Sequence, residues 1–427
     1  EEMEEESYFF KMSKPELAAE FNELKKQYEE LKAQNLKLDM SRGKPAGEQL
    51  DLTMDMLKEV IGVCDCKSES GLDCRNYGVL DGIPECKRLF AEMLEVDSDN
   101  IILGGTSSLT LMFDYITQCM LTGAGDKPWS QQGDIKFICN VPGYDRHFGI
   151  CEYYGIKMIN VPMLSDGPDV EKIAELVKDR SVKGMFCVPK YSNPTGVTYS
   201  DEKVRALAAL KPAAKDFRVI WDNAYIVHDF LENPDKVLNI FEACKEFGTE
   251  DYFIEFTSTS KISFPGAGVS CLAASDKNIQ MIKKRFNTQM IGHDKLNQLR
   301  HAKYFKNLDG IKAHMKKHAA LIEPKFNVVI DTFEKELAGT GLASWTKPNG
   351  GYFISLDTQQ CSAKRVGELC KSLGVVLTSV GATYPYGKDP EDKNIRIAPT
   401  FPSVTDIGKA AEVLCLCIKL ATIEKMM

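Results

Sequence analysis

Apolar positions along this chain fall into two rhythms that alternate over most of its length. Short apolar runs at 101–103, 135–139, 157–161, 184–188, 219–221, 252–256 and 269–273 predict buried strands. Between them, apolar residues recur at steps of three and four, the helical period. Such alternation predicts an α/β fold with a mostly parallel sheet covered by helices on both faces. Ligands in that architecture bind outside the carboxyl ends of the strands. Ahead of this region, Ser13-Lys-Pro-Glu16 predicts a capping box with proline at the first helical position. Leu17, Phe21, Leu24, Tyr28 and Leu31 then mark one stripe of a helix about five turns long. The expected organisation is a flexible tail at 1–12, a helix and arm at 13–63, a large domain at 64–305 and a smaller α+β domain at 306–427. Strands of the last are expected at 351–355 and 394–398.

Composition narrows the function classes. Hydrophobic content of 44% and charged content of 27% are ordinary for a globular protein. A net charge of −8 gives no electrostatic footprint for nucleic acid or an anionic membrane. No apolar run reaches membrane-spanning length and the acidic start is unlike a signal peptide, so a cytoplasmic protein is expected. The fourteen cysteines are scattered through strand and helix patterns and read as small buried hydrophobes in a reducing compartment. Cys64, Cys66, Cys74 and Cys86 lack the paired spacing of a zinc site, and no metal is expected. His314 and His318 lie four apart among lysines, which predicts a solvated helix face rather than a ligand pair.

Candidate chemistry gathers at strand ends. Phe253-Ile-Glu-Phe-Thr-Ser-Thr-Ser-Lys261 is a hydrophobic strand ending in hydroxyl residues and one lysine; desolvation there favours a neutral, nucleophilic amine. Pro189-Lys-Tyr-Ser-Asn-Pro-Thr-Gly196 follows another strand with turn chemistry that fixes Asn193. Phe217-Arg-Val-Ile-Trp-Asp-Asn-Ala-Tyr225 delivers Asp222 to a strand end, where it serves a ligand or merely caps a helix. Ile101-Ile-Leu-Gly-Gly-Thr-Ser-Ser-Leu109 runs from a strand into a helix start, a place for an anion.

Taken in this order, these four segments resemble the fold-type I, pyridoxal-phosphate-dependent aminotransferases of class I/II. Ser41-Arg-Gly-Lys-Pro45, Asn76-Tyr-Gly78, Val141-Pro-Gly-Tyr144 and Asn297-Gln-Leu-Arg-His301 are similar to one branch, the bacterial aspartate aminotransferases related to the aminotransferase half of MocR-type regulators. The resemblance covers about 41–402. It implies pyridoxal phosphate as cofactor and the N-terminal helix packed on the small domain. It also implies Lys261 as the Schiff-base lysine and proton shuttle, Asp222 as partner of the ring nitrogen, and Asn193 and Tyr225 as partners of the ring oxygen. Tyr144 is implied to stack on the ring. Gly105, Thr106, Ser107 and Ser258 would form the phosphate cup, and Tyr77 would reach the phosphate of a neighbouring subunit, which implies a homodimer with shared active sites.

Substrate contacts are expected at Arg396, gripping the α-carboxylate, and at Asn193, Gly43 and Arg42. Arg42 and Lys295 are candidates for a distal carboxylate. The sequence departs from the wider pattern at Gly268, where most of the class carries a phosphate-binding arginine; Arg300 is the expected compensator. The implied activity is ping-pong transfer of an amino group, with aspartate and 2-oxoglutarate as the expected pair. The cofactor residues alone leave open a lyase or synthase on the same scaffold, and a cofactor-sensing regulator module is the remaining alternative.

Overall fold

The computed structural model describes residues 8–427. Its large sheet has eight strands: β1 (Ile101–Leu103), β2 (Lys136–Val141), β3 (Lys157–Leu164), β4 (Gly167–Pro168), β5 (Val182–Cys187), β6 (Arg218–Asp222), β7 (Phe253–Ser258) and β8 (Ser270–Ala274). They lie in the order β1-β8-β7-β6-β5-β2-β3-β4. All pairs from β7 across to β3 are parallel. β8 runs against both of its neighbours, and β4 folds back on β3.

Every residue of β5, β6 and β7 is buried, because helices cover both faces. Strand alternation sorts their side chains: Val219 and Trp221 enter one apolar cluster, while Ile220 between them enters the cluster on the opposite face. The protein is thus an α/β fold with a mainly parallel central sheet, as the hydrophobic rhythm predicts.

Six helices matter for the site: α1 (Lys14–Ala33), α2 (Ser108–Leu121), α3 (Asp145–Tyr154), α4 (Lys295–Phe305), α5 (Leu308–Leu337) and α6 (Val404–Met426). A second, antiparallel sheet orders β9 (Ala343–Trp345), β10 (Ile354–Thr358) and β11 (Asn394–Ile397). It shares one core with α6 and the second half of α5, and the α1 stripe packs onto that core: Leu24 is buried, with Leu17, Phe21, Tyr28 and Leu31 against the same cluster. The capping box at the start of α1 is present, with the Ser13 N–H donating to Glu16 Oε2 at 2.7 Å.

Three details differ from expectation. Residues 1–7 of the expected tail lie outside the described residues, but Tyr8–Lys11 form a 3₁₀ turn and Phe9 is fully buried in the core of the smaller sheet. The aromatic Phe9 gains more from that burial than a solvated tail would. The strand expected from 351 begins at Ile354, because Gly351 turns the chain with φ of +81° and its N–H donates to the His228 carbonyl at 2.9 Å.

Third, His314 and His318 are not solvated. Both are buried on the face of α5 that also carries Ile311, Met315 and Ile322, and their Nε2 atoms lie 2.9 and 3.0 Å from the Ile262 carbonyl oxygen. The surrounding lysines occupy the other face of the helix. Gln49 completes this knot. Its Oε1 accepts from the Ala46 N–H at 3.0 Å, which turns its amide nitrogen toward His318 Nδ1 (3.1 Å) and the Tyr352 hydroxyl (2.9 Å). Accepting that hydrogen at Nδ1 leaves His318 to carry its own on Nε2, facing Ile262.

Candidate active site

Parallel strands β6 and β7 end side by side, with Asp222 opposite Phe256, and so present Asp222 and Ser258 on the same edge of the sheet. The turn after β7 carries Lys261. A cavity of about 580 Å³ opens there, lined by Lys261, Asp222, Tyr225, Asn193, Tyr144 and Arg396 among others. Six residues scattered from 144 to 396 therefore meet at the carboxyl ends of the strands. Arg42, Gly43, Ser107 and Ser258 line the same cavity.

Asp222 is buried and split in its bonding. His147 Nε2, one turn into α3, donates to its Oδ2 at 2.9 Å, while Oδ1 has no hydrogen-bond partner. A buried carboxylate oxygen left unpaired costs about 1–3 kcal/mol or more, so this atom is poised for a donor in the cavity. His147 is itself clamped, stacked on Phe186 at 4.6 Å and 7° and edge-on to Tyr144 at 4.9 Å. Burial pushes the Lys261 amine below its ordinary pKa, with Arg396 adding to the effect and Asp222 opposing it. Its Nζ lies 5.2 Å from the Tyr225 ring and 5.4 Å from the Tyr352 ring. Burial, then the charge of Asp222, raises the Tyr144 hydroxyl to about 12, and burial raises Tyr225 as well.

Arg396 projects from β11 into the cavity. It donates through Nε to Thr378 Oγ1 at 3.1 Å, through Nη1 to Asn193 Oδ1 at 3.4 Å and through Nη2 to the Ser41 carbonyl at 3.2 Å. Its guanidinium lies 4.6 Å over the Phe353 ring, a cation–π contact that holds the fork flat. The same ring explains Gly43: a Cβ there would sit 2.2 Å from Phe353 Cζ.

A hydroxyl-lined cup forms the other end. Ser107 caps α2, accepting from the Leu109 N–H at 3.2 Å. Ser258 donates to Ser260 Oγ at 3.0 Å, and Ser260 to the Thr106 carbonyl at 3.1 Å. Gly105 lies behind the cup, its carbonyl accepting from both the N–H and the hydroxyl of Ser270 at 2.8 Å. Gly105 and Thr106 shape the turn without lining the cavity. Tyr77 is 79% exposed and stands outside it.

At Gly268 the structure gives a reason for the missing arginine. A Cβ there would meet the Phe264 carbonyl oxygen at 2.9 Å and Thr259 Oγ1 at 3.1 Å. Asn297 Nδ2 ties down this turn through the Ala267 and Gly268 carbonyls, at 2.9 and 3.0 Å. Arg300 donates to Asn297 Oδ1 at 2.8 Å and does not line the cavity, so it braces the turn rather than replacing the lost charge. Lys295, the other expected cation, is buried at the start of α4 and also lies off the cavity.

Comparison with known proteins decides the family. The family model for aspartate amino-transferase matches residues 12–427. The chain belongs to that family. It is 46% identical over 404 residues to an aspartate aminotransferase of Corynebacterium glutamicum, covering 94% of this chain and 93% of the relative. The crystal structure of an aspartate transaminase from the same species superposes with a TM-score of 0.95 at 44% identity, covering 97% of this chain and 98% of that one. A more distant relative, 22% identical over 64% of this chain and 54% of its own length, is an uncharacterised HTH-type transcriptional regulator of Bacillus subtilis.

The chain is therefore a fold-type I transaminase dependent on pyridoxal phosphate, and its residues fit that cofactor. The unpaired Asp222 Oδ1 suits a protonated ring nitrogen, and the hydroxyl cup at the start of α2 suits a phosphate. Sequence reasoning missed His147, Ser260, Phe353 and Arg146 at this site. Arg146 and His147 had a usable signal, since they stand two and three positions after Tyr144 at a helix start.

Proposed function

We propose that this transaminase moves the amino group of aspartate to 2-oxoglutarate in a ping-pong cycle, working as a cytoplasmic homodimer. The carrying observation is that a desolvated lysine amine and an unpartnered buried carboxylate oxygen share one cavity with a bridled arginine fork. Bound pyridoxal phosphate supplies an electron sink for the pair released at the substrate Cα.

The chain's own groups do the rest. Arg396 receives the α-carboxylate with two parallel N–H donors, which fixes the substrate's orientation. Lys261 Nζ takes the Cα proton and returns it, a role suited to an amine whose pKa is drawn toward neutrality by burial. Asp222, oriented by His147, would keep the ring nitrogen of the bound cofactor protonated. Asn193 and Tyr225 would hold the ring oxygen, and Tyr144 would cover the ring. Ser107 and Ser258 would hold the phosphate, with the amides of the Gly105-Thr106 turn behind them.

The name of the Corynebacterium relative supports aspartate as donor. Exposure of Tyr77 supports its use by a second copy. Fourteen unpaired cysteines, thirteen of them buried, support a reducing compartment. The test is a half-reaction without acceptor. Aspartate mixed with yellow holoenzyme should discharge the colour and release one 2-oxo acid per site, and 2-oxoglutarate should restore the colour. An enzyme whose colour survives aspartate but not a neutral amino acid would overturn the donor assignment.

A further inference from the structure

Glu255 is an acid in the middle of β7 that the transamination does not use, and it is 3% exposed. It stands opposite Trp221 on β6 and Ala273 on β8, and strand alternation turns it to the sheet face away from Ile254 and Phe256. One of its oxygens is answered: Asn223 Nδ2 donates to Glu255 Oε1 at 2.9 Å. The remaining atom of each group is not, since Glu255 Oε2 and Asn223 Oδ1 are both buried without a hydrogen-bond partner. Two bare acceptors, on groups already bonded to each other, lack one thing: a hydrogen between them.

A proton on Glu255 supplies it. A neutral acid donates at one oxygen and accepts at the other, and a carboxamide offers the complement, so the two close a double hydrogen bond. The ionised carboxylate has no hydrogen to give and would leave both oxygens bare around a buried charge. No cation answers that charge, because Glu255 makes no ion pair with any described residue. The titratable groups that face it are Glu95, at the end of the helix Pro84–Leu94, and the Cys271 thiol on β8, with Cys86 of that same helix beyond the thiol. None of them favours another negative charge. Burial raises the Glu255 carboxyl from its ordinary 4.5 to about 7, with the Asn223 amide opposing and Glu95 adding to the rise.

This pair sits where Asp222 needs support. β6 ends at Asp222, and Asn223 is the next residue. The Asn223 N–H donates to the Phe256 carbonyl at 2.8 Å, and its carbonyl accepts from Thr257 Oγ1 at 3.0 Å. Three consecutive residues of β7 thus hold one residue just past the strand end. Neither Glu255 nor Asn223 lines the cavity, whereas Asp222, Ala224 and Tyr225 do. We propose that Glu255 is a positioning residue held as the neutral acid, clasping the Asn223 amide with two hydrogen bonds and so fixing the aim of Asp222. The proposal rests on the reading of Asp222 as partner of the cofactor's ring nitrogen.

The experiment compares wild-type holoenzyme with Glu255→Gln and Glu255→Leu. Glutamine offers Asn223 a donor and an acceptor at every pH; leucine offers neither. At mildly acid pH, the isotope-edited infrared difference between wild type and Glu255→Gln should contain the carbonyl band of a protonated carboxyl. Stability owed to this proton is whole below 4.5 and lost as pH rises through about 7. The wild-type melting temperature should therefore fall relative to that of Glu255→Gln across that window. The dissociation constant for pyridoxal phosphate should rise on the order of five-fold in Glu255→Leu, the worth of one hydrogen bond. It should stay near wild type in Glu255→Gln, and the wild-type value should climb above that of Glu255→Gln on the alkaline side of the window.

A carboxylate band at acid pH, with a melting gap that ignores pH, would overturn the assignment. So would an unchanged cofactor affinity in Glu255→Leu, even if that variant melts earlier, because a merely structural acid behaves that way. Should Glu255→Leu not fold, the alkaline divergence of wild type from Glu255→Gln decides the same point, and its absence sinks the positioning role. An Asp222→Asn holoenzyme with wild-type cofactor affinity would instead sink the reading of Asp222. The infrared and melting results do not depend on that reading, which separates the two failures.

Discussion

Lys261 and Ile262 are neighbours in sequence, yet they face two buried polar clusters of opposite character. Behind Ile262, the carbonyl oxygen, both imidazoles, Gln49, Thr53 and the Tyr352 hydroxyl close a set of hydrogen bonds in which each answers another. In front of Lys261, the lysine amine is desolvated and Asp222 Oδ1 has no partner. A satisfied cluster lowers the energy of the fold, whereas an unsatisfied one raises it and waits for a ligand to complete it. Burial alone therefore does not mark an active site. Here the unanswered carboxylate oxygen and the lysine amine open on one cavity, and the two together mark the site.

The strongest way to break this contrast is Lys261→Ala. Turnover should fall by roughly 10⁴-fold as the proton carrier is lost, and the holoenzyme's visible absorbance band should disappear. Retained transamination would remove the lysine from the mechanism. Asp222→Asn comes next: it keeps the shape while removing the charge, and kcat should drop on the order of 10²-fold. Its melting temperature should stay within a few degrees, and a large loss of stability would place Asp222 with the structural cluster instead.

The smallest catalytic effect, and the complementary one, is expected from His318→Phe. Ile262 O and Gln49 would lose a partner, costing about 1–3 kcal/mol of stability in a melting experiment, with kcat changed only a few-fold. Its pH dependence sharpens the distinction. Burial, with His314 nearby, depresses the His318 imidazole to about 4, so it folds neutral. A depressed base contributes stability that is present above the unfolded value, about 6.5, and lost as pH falls toward 4. The acid side of the stability curve should therefore be flatter in His318→Phe than in wild type; an unchanged slope would show that this imidazole does not titrate on unfolding.

The front cluster was legible in the sequence and the rear one was not. Lys261, Asp222 and Asn193 each follow an apolar run, and parallel strands buried on both faces carry that signal in a few consecutive residues. The histidine knot joins residues up to 303 positions apart, and its histidines sit among lysines that suggest a wet surface. A closer look at spacing had the answer: Ile311, His314, Met315, His318 and Ile322 form one stripe of α5, so the imidazoles share the apolar face. His147 carried a sequence signal in its place just after Tyr144, but its pairing with Asp222, 75 residues away, is made only by the fold. Arg300 was misjudged because proximity in sequence to a motif says nothing about which side of the turn a side chain occupies.

α5 has one more implication. Ile311 and Met315 belong to the core beneath Lys261, and Phe326, Val329 and Phe333 belong to the core of the smaller sheet. Pro324 stands between the two groups and deprives the Ala320 carbonyl of its helical donor. The helix is thus an axle shared by two bodies, with its one weak joint set between their bearings. Any change in angle between the two cores would therefore bend the helix at that joint and leave the end that grips the Ile262 carbonyl in place.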